Sequence, residues 1–150
     1  RVGKEVRIGF KNVCEVTGLQ GRWQTVRTEP RVVCDTGHNV AGWEYLGKQL
    51  SQVKCHKMHI VFGAVEDKYV EGMMMKLPKD AIYYFTNANN HRAISENVLK
   101  LLGQQLGLNG QSYPNVADAY QSALNAAQKD DFVFIGGSSY VVADFLKNCI

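Results

Sequence analysis

The feature that most constrains the fold is a regular alternation of short apolar runs with longer amphipathic segments. The apolar runs have the length and composition of buried β-strands, and they cover residues 31–35, 58–62, 81–85 and 132–135. The longer segments carry apolar side chains at helical spacing, and they cover residues 40–53, 67–76, 98–106, 116–127 and 142–149. Ser95 and Asn115 are good N-caps before two of these helices. Strands that alternate with helices build βαβ units, so we predict a doubly wound α/β domain with a mostly parallel sheet.

The first part of the chain departs from this alternation. Apolar residues at helical spacing predict a first helix over about residues 1–17. Residues 22–28 and 31–35 then have strand composition, and the turn signal Glu29-Pro30 between them predicts an antiparallel hairpin. A chain of 150 residues is long enough for one good core and too short for two, so we predict a single domain over residues 1–150.

Composition excludes several classes of protein. With 45% hydrophobic and 21% charged residues, the chain is not expected to be disordered, and no stretch approaches the roughly 18 apolar residues of a membrane span. The net charge of +3 comes from charges scattered along the chain, so we expect no nucleic-acid or membrane partner. The chain begins with Arg1 and has no leader pattern, which we interpret as an excised part of a longer protein that is not secreted.

The cysteines point to a reducing compartment. They stand far apart without a CxxC pair, and Cys34 and Cys55 lie in segments that we expect to be buried. We therefore predict reduced thiols in a cytoplasmic protein rather than a disulfide framework.

Three loops follow predicted strands and are rich in glycine or polar residues, at residues 34–39, 63–68 and 136–139. In doubly wound sheets the loops at the carboxyl ends of the strands line the ligand crevice, and the next helix points its positive end into that crevice. These loops are therefore the candidate site.

The loop at residues 34–39 has the most chemistry. Asp35 can accept hydrogen bonds from ribose hydroxyls or hold a metal-bound water, while His38 and the backbone N–H groups can donate to an anion. The structural alternative is that Asn39 caps the helix, Gly37 supplies an unusual backbone angle and His38 only occupies the surface. Residue spacing alone leaves both interpretations open.

The other two loops are also ambiguous. In the loop at residues 63–68, Gly63 would let a ligand approach the backbone and Lys68 would neutralise an anion. The alternative is that this loop is only a solvated helix start, in which Asp67 interacts favourably with the positive end of the helix dipole. Residues 136–139 form either a cradle of N–H groups with a hydroxyl or a tight turn with a serine cap.

Two apparent motifs are rejected. Residues 42–49 match the phosphate-loop pattern GxxxxGK, but Gln49 replaces the magnesium-binding Ser or Thr and the segment lies within a predicted helix. A zinc site is not expected either, because its possible ligands lack the paired short spacings of structural zinc sites; these are Cys34, His38, Cys55 and His56. We predict no metal site in this domain.

Taken together, five short motifs resemble the carboxyl-terminal domain of folylpolyglutamate synthase in their order and spacing. Bacterial members of that family are often dihydrofolate synthases too, and the Mur ligases of cell-wall synthesis are its wider kin. The motifs are GRWQ at 21–24, DTGHN at 35–39, FGAVEDK at 62–68, RA at 92–93 and GGS at 136–138. Each motif is weak alone, but the five in register cover nearly the whole chain.

The resemblance implies a Rossmann-like, three-layer domain of an ATP-dependent amide ligase. Such an enzyme phosphorylates a substrate carboxylate, and the amino group of L-glutamate attacks the acyl phosphate. The resemblance also implies that the phosphate loop, the magnesium ligands and most of the folate site lie in upstream domains that this chain lacks. ATP and Mg2+ would then serve the full-length enzyme, folate or dihydropteroate would be its other substrate, and neither ATP nor Mg2+ would bind tightly to this domain alone.

The resemblance assigns roles to five residues. Asp35 and His38 would be catalytic. Arg22 would contact the ATP phosphates, Asp35 the ribose, and His38 the phosphate or glutamate region. Lys68 and Ser138 would lie toward the glutamate pocket.

This sequence departs from the family's pattern within and directly after the second motif, and at Glu66 and Tyr69 around Asp67-Lys68, and it leaves other functions open. The family more often has Ala at position 37 and Pro at position 40, where this chain has Gly37 and Val40. A glycine predicts a looser loop without removing a functional group. The remaining alternatives are a Mur-type cell-wall ligase and a free-standing, non-catalytic module that binds a nucleotide or an anion.

Overall fold

A computed structural model describes residues 21–66 and 69–150 of the chain. The helix predicted over residues 1–17 lies outside this part. The described part has six strands, which are β1 Gln24–Thr28, β2 Arg31–Asp35, β3 Met58–Phe62, β4 Ile82–Phe85, β5 Asn109–Ser112 and β6 Phe132–Gly136. It has five helices, which are α1 Val40–Ser51, α2 Val70–Met74, α3 Glu96–Gln105, α4 Val116–Ala126 and α5 Ser139–Asn148. The alternation of strands and helices predicted from the sequence is therefore confirmed over this part.

All six strands form one sheet in the order β1-β2-β6-β3-β4-β5. Strand β1 pairs with β2 in the antiparallel sense, which confirms the predicted hairpin, and all other pairs are parallel. Strand β6 enters between β2 and β3, and Gly136 pairs with Asp35 on one side and with Phe62 on the other. The carboxyl ends of these three strands therefore lie side by side.

The sheet is covered on both faces, as predicted for a three-layer domain. One face packs against α1, α2 and α3, whose buried side chains include Trp43, Leu46, Leu50, Met73, Met74 and Leu99. The other face packs against α4 and α5, whose buried side chains include Ala119, Tyr120, Ala123, Val142 and Phe145. Strand residues alternate between the two clusters because successive side chains of a strand point to opposite faces. None of the helices in the described part of the chain has the length and apolar character needed to cross a membrane.

Three details differ from the sequence predictions. Strand β5 was not predicted from the sequence, because this edge strand reads NGQS and has no apolar alternation to reveal it. Of the predicted helical segment 67–76, the structure describes residues 69–76, and within these only Val70–Met74 is helical. Cys55 was predicted to be buried but is exposed, because it lies in the connection between α1 and β3 rather than in a strand.

Near the amino ends of the strands, three polar side chains form a buried cluster. The imidazole of His59 lies between the hydroxyl of Tyr84, 2.8 Å from Nδ1, and the carboxylate of Asp131, 2.9 Å from Nε2. Asp131 also accepts a hydrogen bond from the Gln128 amide at 3.1 Å, and His56 Nδ1 lies 3.5 Å from its other oxygen. Desolvation alone would raise the pKa of Asp131, but the hydrogen bonds from His59, Gln128 and His56 outweigh it and lower that pKa below its ordinary value.

We predict that Asp131→Asn lowers the free energy of unfolding by about 1 to 3 kcal/mol near neutral pH, because it weakens this buried network. The folded pKa of Asp131 lies below its ordinary value of 3.8, so its contribution is complete above that pH and is lost as the pH falls below it. Urea unfolding of both proteins between neutral and acidic pH measures this difference. The exposed neighbour variant Asp130→Asn should follow the wild type, and a difference that does not shrink in acid would contradict the prediction.

Candidate active site

The connections around β6 create a crevice at the carboxyl edge of the sheet. From β2 and β3 the chain continues to α1 and α2 on one face, whereas from β6 it continues to α5 on the other face. Neighbouring strands whose connections leave toward opposite faces form the topological switch point at which doubly wound domains bind ligands. The three loops singled out from the sequence follow β2, β3 and β6, so they meet at this crevice as predicted.

The carboxylate of Asp35 fixes the backbone on both sides of the β1–β2 hairpin. It is buried, and its two oxygens accept hydrogen bonds from the amides of Trp23 and Gly37, each at 2.8 Å. The amide of Thr36 donates to the Gly21 carbonyl at 2.7 Å. These bonds hold the segment before β1 against the loop after β2. They also hold the backbone of Arg22, whose side chain is exposed, beside this loop.

His38 lies exposed on this loop with one ring nitrogen engaged. Its Nδ1 lies 3.3 Å from the carbonyl oxygen of Thr36. Because a carbonyl oxygen only accepts, this contact requires a proton on Nδ1. In the neutral imidazole Nε2 then carries the lone pair, so the ring can accept a proton there.

Helix termini make the crevice favourable for anions. Asn39 caps α1 by accepting a hydrogen bond from Gly42 N at 2.7 Å, and Ser138 caps α5 by accepting one from Val141 N at 3.1 Å. Neither α1 nor α5 has an acidic residue in its first turn. The positive ends of both helix dipoles therefore act at the same edge, where the Asp35 carboxylate is already engaged by two backbone amides.

A cleft of about 410 Å³ opens beside His38. Its walls are formed by residues from the loops after β2, β3 and β6 and by the start of α1 and α2; they are His38, Asn39, Val40, Ala41, Val65, Tyr69, Val70, Met73 and Gly137. Most of this wall is apolar. This wall was not predicted from the sequence, because apolar residues next to a helix start carry no signal that distinguishes a cleft wall from the core.

Ser138, which was predicted for the glutamate pocket, does not line this cleft. Ser138 is buried and serves as the cap of α5, which is the structural alternative considered for its loop. Lys68 lies outside the described residues, so its assignment stays a prediction.

Gly37 and Gly137 allow their loops to pack closely against neighbouring atoms. Gly37 does not have the positive φ considered for it; instead, a Cβ there would lie 2.5 Å from Leu46 Cδ1. Gly137 does have a positive φ, of 110°, and a Cβ there would lie 2.1 Å from the Gly63 carbonyl oxygen. The loop of His38 is therefore packed against α1 rather than loosened by its glycine.

The segment that matches the phosphate-loop pattern lies in a helix, as predicted. Residues 42–49, which match GxxxxGK, lie within α1, where the backbone amides are committed to the helix. Among residues 21–66 and 69–150 there is no group of three His, Cys, Asp or Glu side chains arranged to hold a metal ion.

Comparison with known proteins decides the family. The family model described as "Mur ligase, glutamate ligase domain" matches residues 21–139, which is more than half of the chain. The chain belongs to this family. The matched range includes the hairpin, the Asp35 and His38 loop and the turn with Gly137 and Ser138, which are the parts that build the crevice.

Within this family the chain is similar to folate enzymes. The dihydrofolate synthase/folylpolyglutamate synthase of Buchnera aphidicola subsp. Schizaphis graminum (strain Sg) is 32% identical over 149 residues, which are 97% of this chain and 35% of that protein. The structure of E. coli FolC in complex with DHPP and ADP has 30% identity and a TM-score of 0.74, and the match covers 85% of this chain and 30% of that one.

A second solved structure adds other bound molecules. A bifunctional folylpolyglutamate synthase/dihydrofolate synthase with Mn, AMPPNP and L-glutamate bound has 26% identity and a TM-score of 0.75, over 88% of this chain and 32% of that one. This glutamate ligase domain therefore spans about a third of the length of the relatives it matches.

We predict that Asp35→Asn lowers the free energy of unfolding by about 1 to 3 kcal/mol, because an amide offers one acceptor oxygen where two backbone N–H groups need one each. Thermal or urea denaturation of the chain at neutral pH measures the change. The same substitution at the exposed Asp80 is the control and should leave stability unchanged. Equal stability of the Asp35 and Asp80 variants would show that the two hydrogen bonds that Asp35 accepts from Trp23 and Gly37 do not stabilise the fold.

Proposed function

We propose that this chain is the carboxyl-terminal domain of an ATP-dependent amide ligase that adds L-glutamate to folates, and in a bifunctional parent also to dihydropteroate. The observation that carries the proposal is the cleft beside His38, onto which two helix N-termini converge in a domain of the glutamate ligase family. Similarity to dihydrofolate synthase/folylpolyglutamate synthases along most of the chain supports the choice of folate as the acyl substrate.

The proposed reaction has two steps. A carboxylate oxygen of the folate attacks the γ-phosphorus of ATP, which releases ADP and forms an acyl phosphate. The amino nitrogen of glutamate then attacks the acyl carbon, phosphate leaves, and the nitrogen loses a proton. The parent's upstream domains would supply the phosphate loop, the magnesium ligands and most of the folate site. We assign the binding of Mg2+ to those domains, as the resemblance implies.

The residues of this chain would position and neutralise the reactants. The guanidinium of Arg22 suits the geometry of the ATP phosphates. Asp35 keeps a lone pair on each oxygen beyond those used by backbone amides, so it can also accept from the ribose hydroxyls. His38, with Nε2 as the basic nitrogen, would act on the phosphate or on the amino group of glutamate.

Two further residues belong to the proposed glutamate pocket. Lys68 follows β3 and would neutralise a carboxylate of the incoming amino acid. Ser138 accepts a hydrogen bond from Val141 N, which leaves its hydroxyl proton as the donor for a ligand or for the turn that carries Gly137. Its burial favours a supporting role behind the pocket wall.

We predict that His38→Ala and Asp35→Ala in the full-length parent each reduce glutamate-dependent ADP release by about 100-fold or more, because positioned acid–base and electrostatic groups contribute at least that much. His91→Ala is the control, since His91 is an exposed histidine on another polar loop. Full activity of both the His38 and Asp35 variants would overturn the site assignment.

The same assay with folate, dihydropteroate and a cell-wall precursor carboxylate distinguishes a folate ligase from a Mur-type ligase.

We also predict that the isolated chain binds ATP more weakly than a Kd of about 1 µM, because most of the proposed phosphate ligands belong to other domains. Isothermal titration calorimetry, with and without Mg2+, measures this affinity. Submicromolar binding by these 150 residues would contradict the proposed division of the site and favour a free-standing nucleotide-binding module.

A further inference from the structure

The peptide groups on both sides of Gly37 are held by side chains. Asp35 accepts the Gly37 N–H at 2.8 Å, and the indole N–H of Trp43 donates to the Gly37 carbonyl at 3.0 Å. The carbonyl of Gly37 and the Cα of His38 belong to the same planar peptide unit. Holding that carbonyl therefore fixes the direction in which the chain enters His38.

Trp43 is well suited to hold this carbonyl because it is itself immobile. Its side chain is completely buried in the first half of α1. Its ring contacts Phe62 at 5.9 Å and Phe134 at 5.7 Å between centroids, in both cases edge to face. Phe62 ends β3 and Phe134 lies in β6, so the indole is packed against two of the three strands that form the crevice.

Packing around Gly37 leaves the loop few other positions. A Cβ at residue 37 would lie 2.5 Å from Leu46 Cδ1 and 3.3 Å from Asp35 Oδ1, so the backbone of this residue lies directly against α1. The remaining freedom of the loop is rotation of its peptide planes. Asp35 restricts the plane before Gly37, and Trp43 restricts the plane after it.

We propose that Trp43 is a positioning residue for His38: its indole N–H holds the Gly37 carbonyl and so sets where the imidazole stands at the cleft. The inference rests on the proposed function, in which His38 acts on the reactants. Trp43 itself does not form the wall of the cleft. Its effect on the reaction is therefore exerted through the backbone of the loop.

The test uses the full-length parent with Trp43→Phe, which keeps an aromatic ring and removes the donor. We expect kcat for glutamate-dependent ADP release to fall by about 10-fold to 100-fold, because displacement of a catalytic group by about 1 Å has an effect of that size. The KM for ATP should stay unchanged.

Replacement of Trp43 by β-(3-benzothienyl)alanine, in which sulfur replaces the N–H in a ring of the same shape, should give the same loss of kcat without a packing defect.

Tyr83→Phe is the matched control. The Tyr83 hydroxyl is likewise a side-chain donor to a backbone carbonyl, that of Pro78, and Tyr83 is buried in the same core cluster as Trp43. This variant should lose stability in thermal denaturation while keeping kcat. A benzothienyl variant with wild-type kcat would overturn the inference, even if Trp43→Phe were poorly folded.

A double-mutant cycle separates positioning from general damage. If Trp43 acts through His38, removal of the indole N–H should have no further effect on kcat in the His38→Ala background. An effect of equal size in both backgrounds would refute the inference while leaving the proposed function intact. Full activity of His38→Ala alone would instead refute the assignment of His38 and the proposed function with it.

Discussion

The parallel pairing of β6 with both β2 and β3 is the constraint on which the rest of the domain depends. It brings a strand from near the end of the chain between two strands from its first half, and it aligns Gly136 with Asp35 and Phe62. The absence of a side chain at Gly137 lets the turn after β6 approach the Gly63 carbonyl. Three loops that are distant in sequence therefore meet at one crevice. The face of the sheet toward which each loop leads determines which layer its following helix joins.

Asp35 has an observed structural role and a proposed chemical one. Its burial and its two backbone donors make it the clamp that joins the hairpin to the loop of His38. A carboxylate that holds two amides is fixed in orientation, and each of its oxygens keeps a second lone pair that the amides do not use. The proposed ribose contact and the observed clamp are therefore compatible, and loss of Asp35 affects both.

The cleft combines an apolar wall with positive helix ends. Apolar side chains such as Val65, Tyr69 and Met73 lower the local dielectric, which strengthens the attraction between an anionic group and the amino ends of α1 and α5. The proposed transfer of a phosphoryl and then an acyl group gains from such a site because the acyl phosphate must be kept from water. In the proposed enzyme this chain supplies one wall, and the upstream domains supply the opposite one.

The sequence by itself determined the elements that depend on local physics. Helical periodicity, strand composition and the caps Asn39, Ser95 and Asn115 act within a few residues, so the alternation, the hairpin and the helix starts were predictable. Only the tertiary structure decided what depends on distant neighbours. The polar strand β5 exists because β4 pairs with it, Gly37 lies against the Leu46 side chain without a positive φ, and Trp43 reaches the Gly37 carbonyl only once α1 packs on the sheet. Contacts between residues far apart in the chain leave no periodic signal, which is why the fold was predictable and the walls and supports of the site were not.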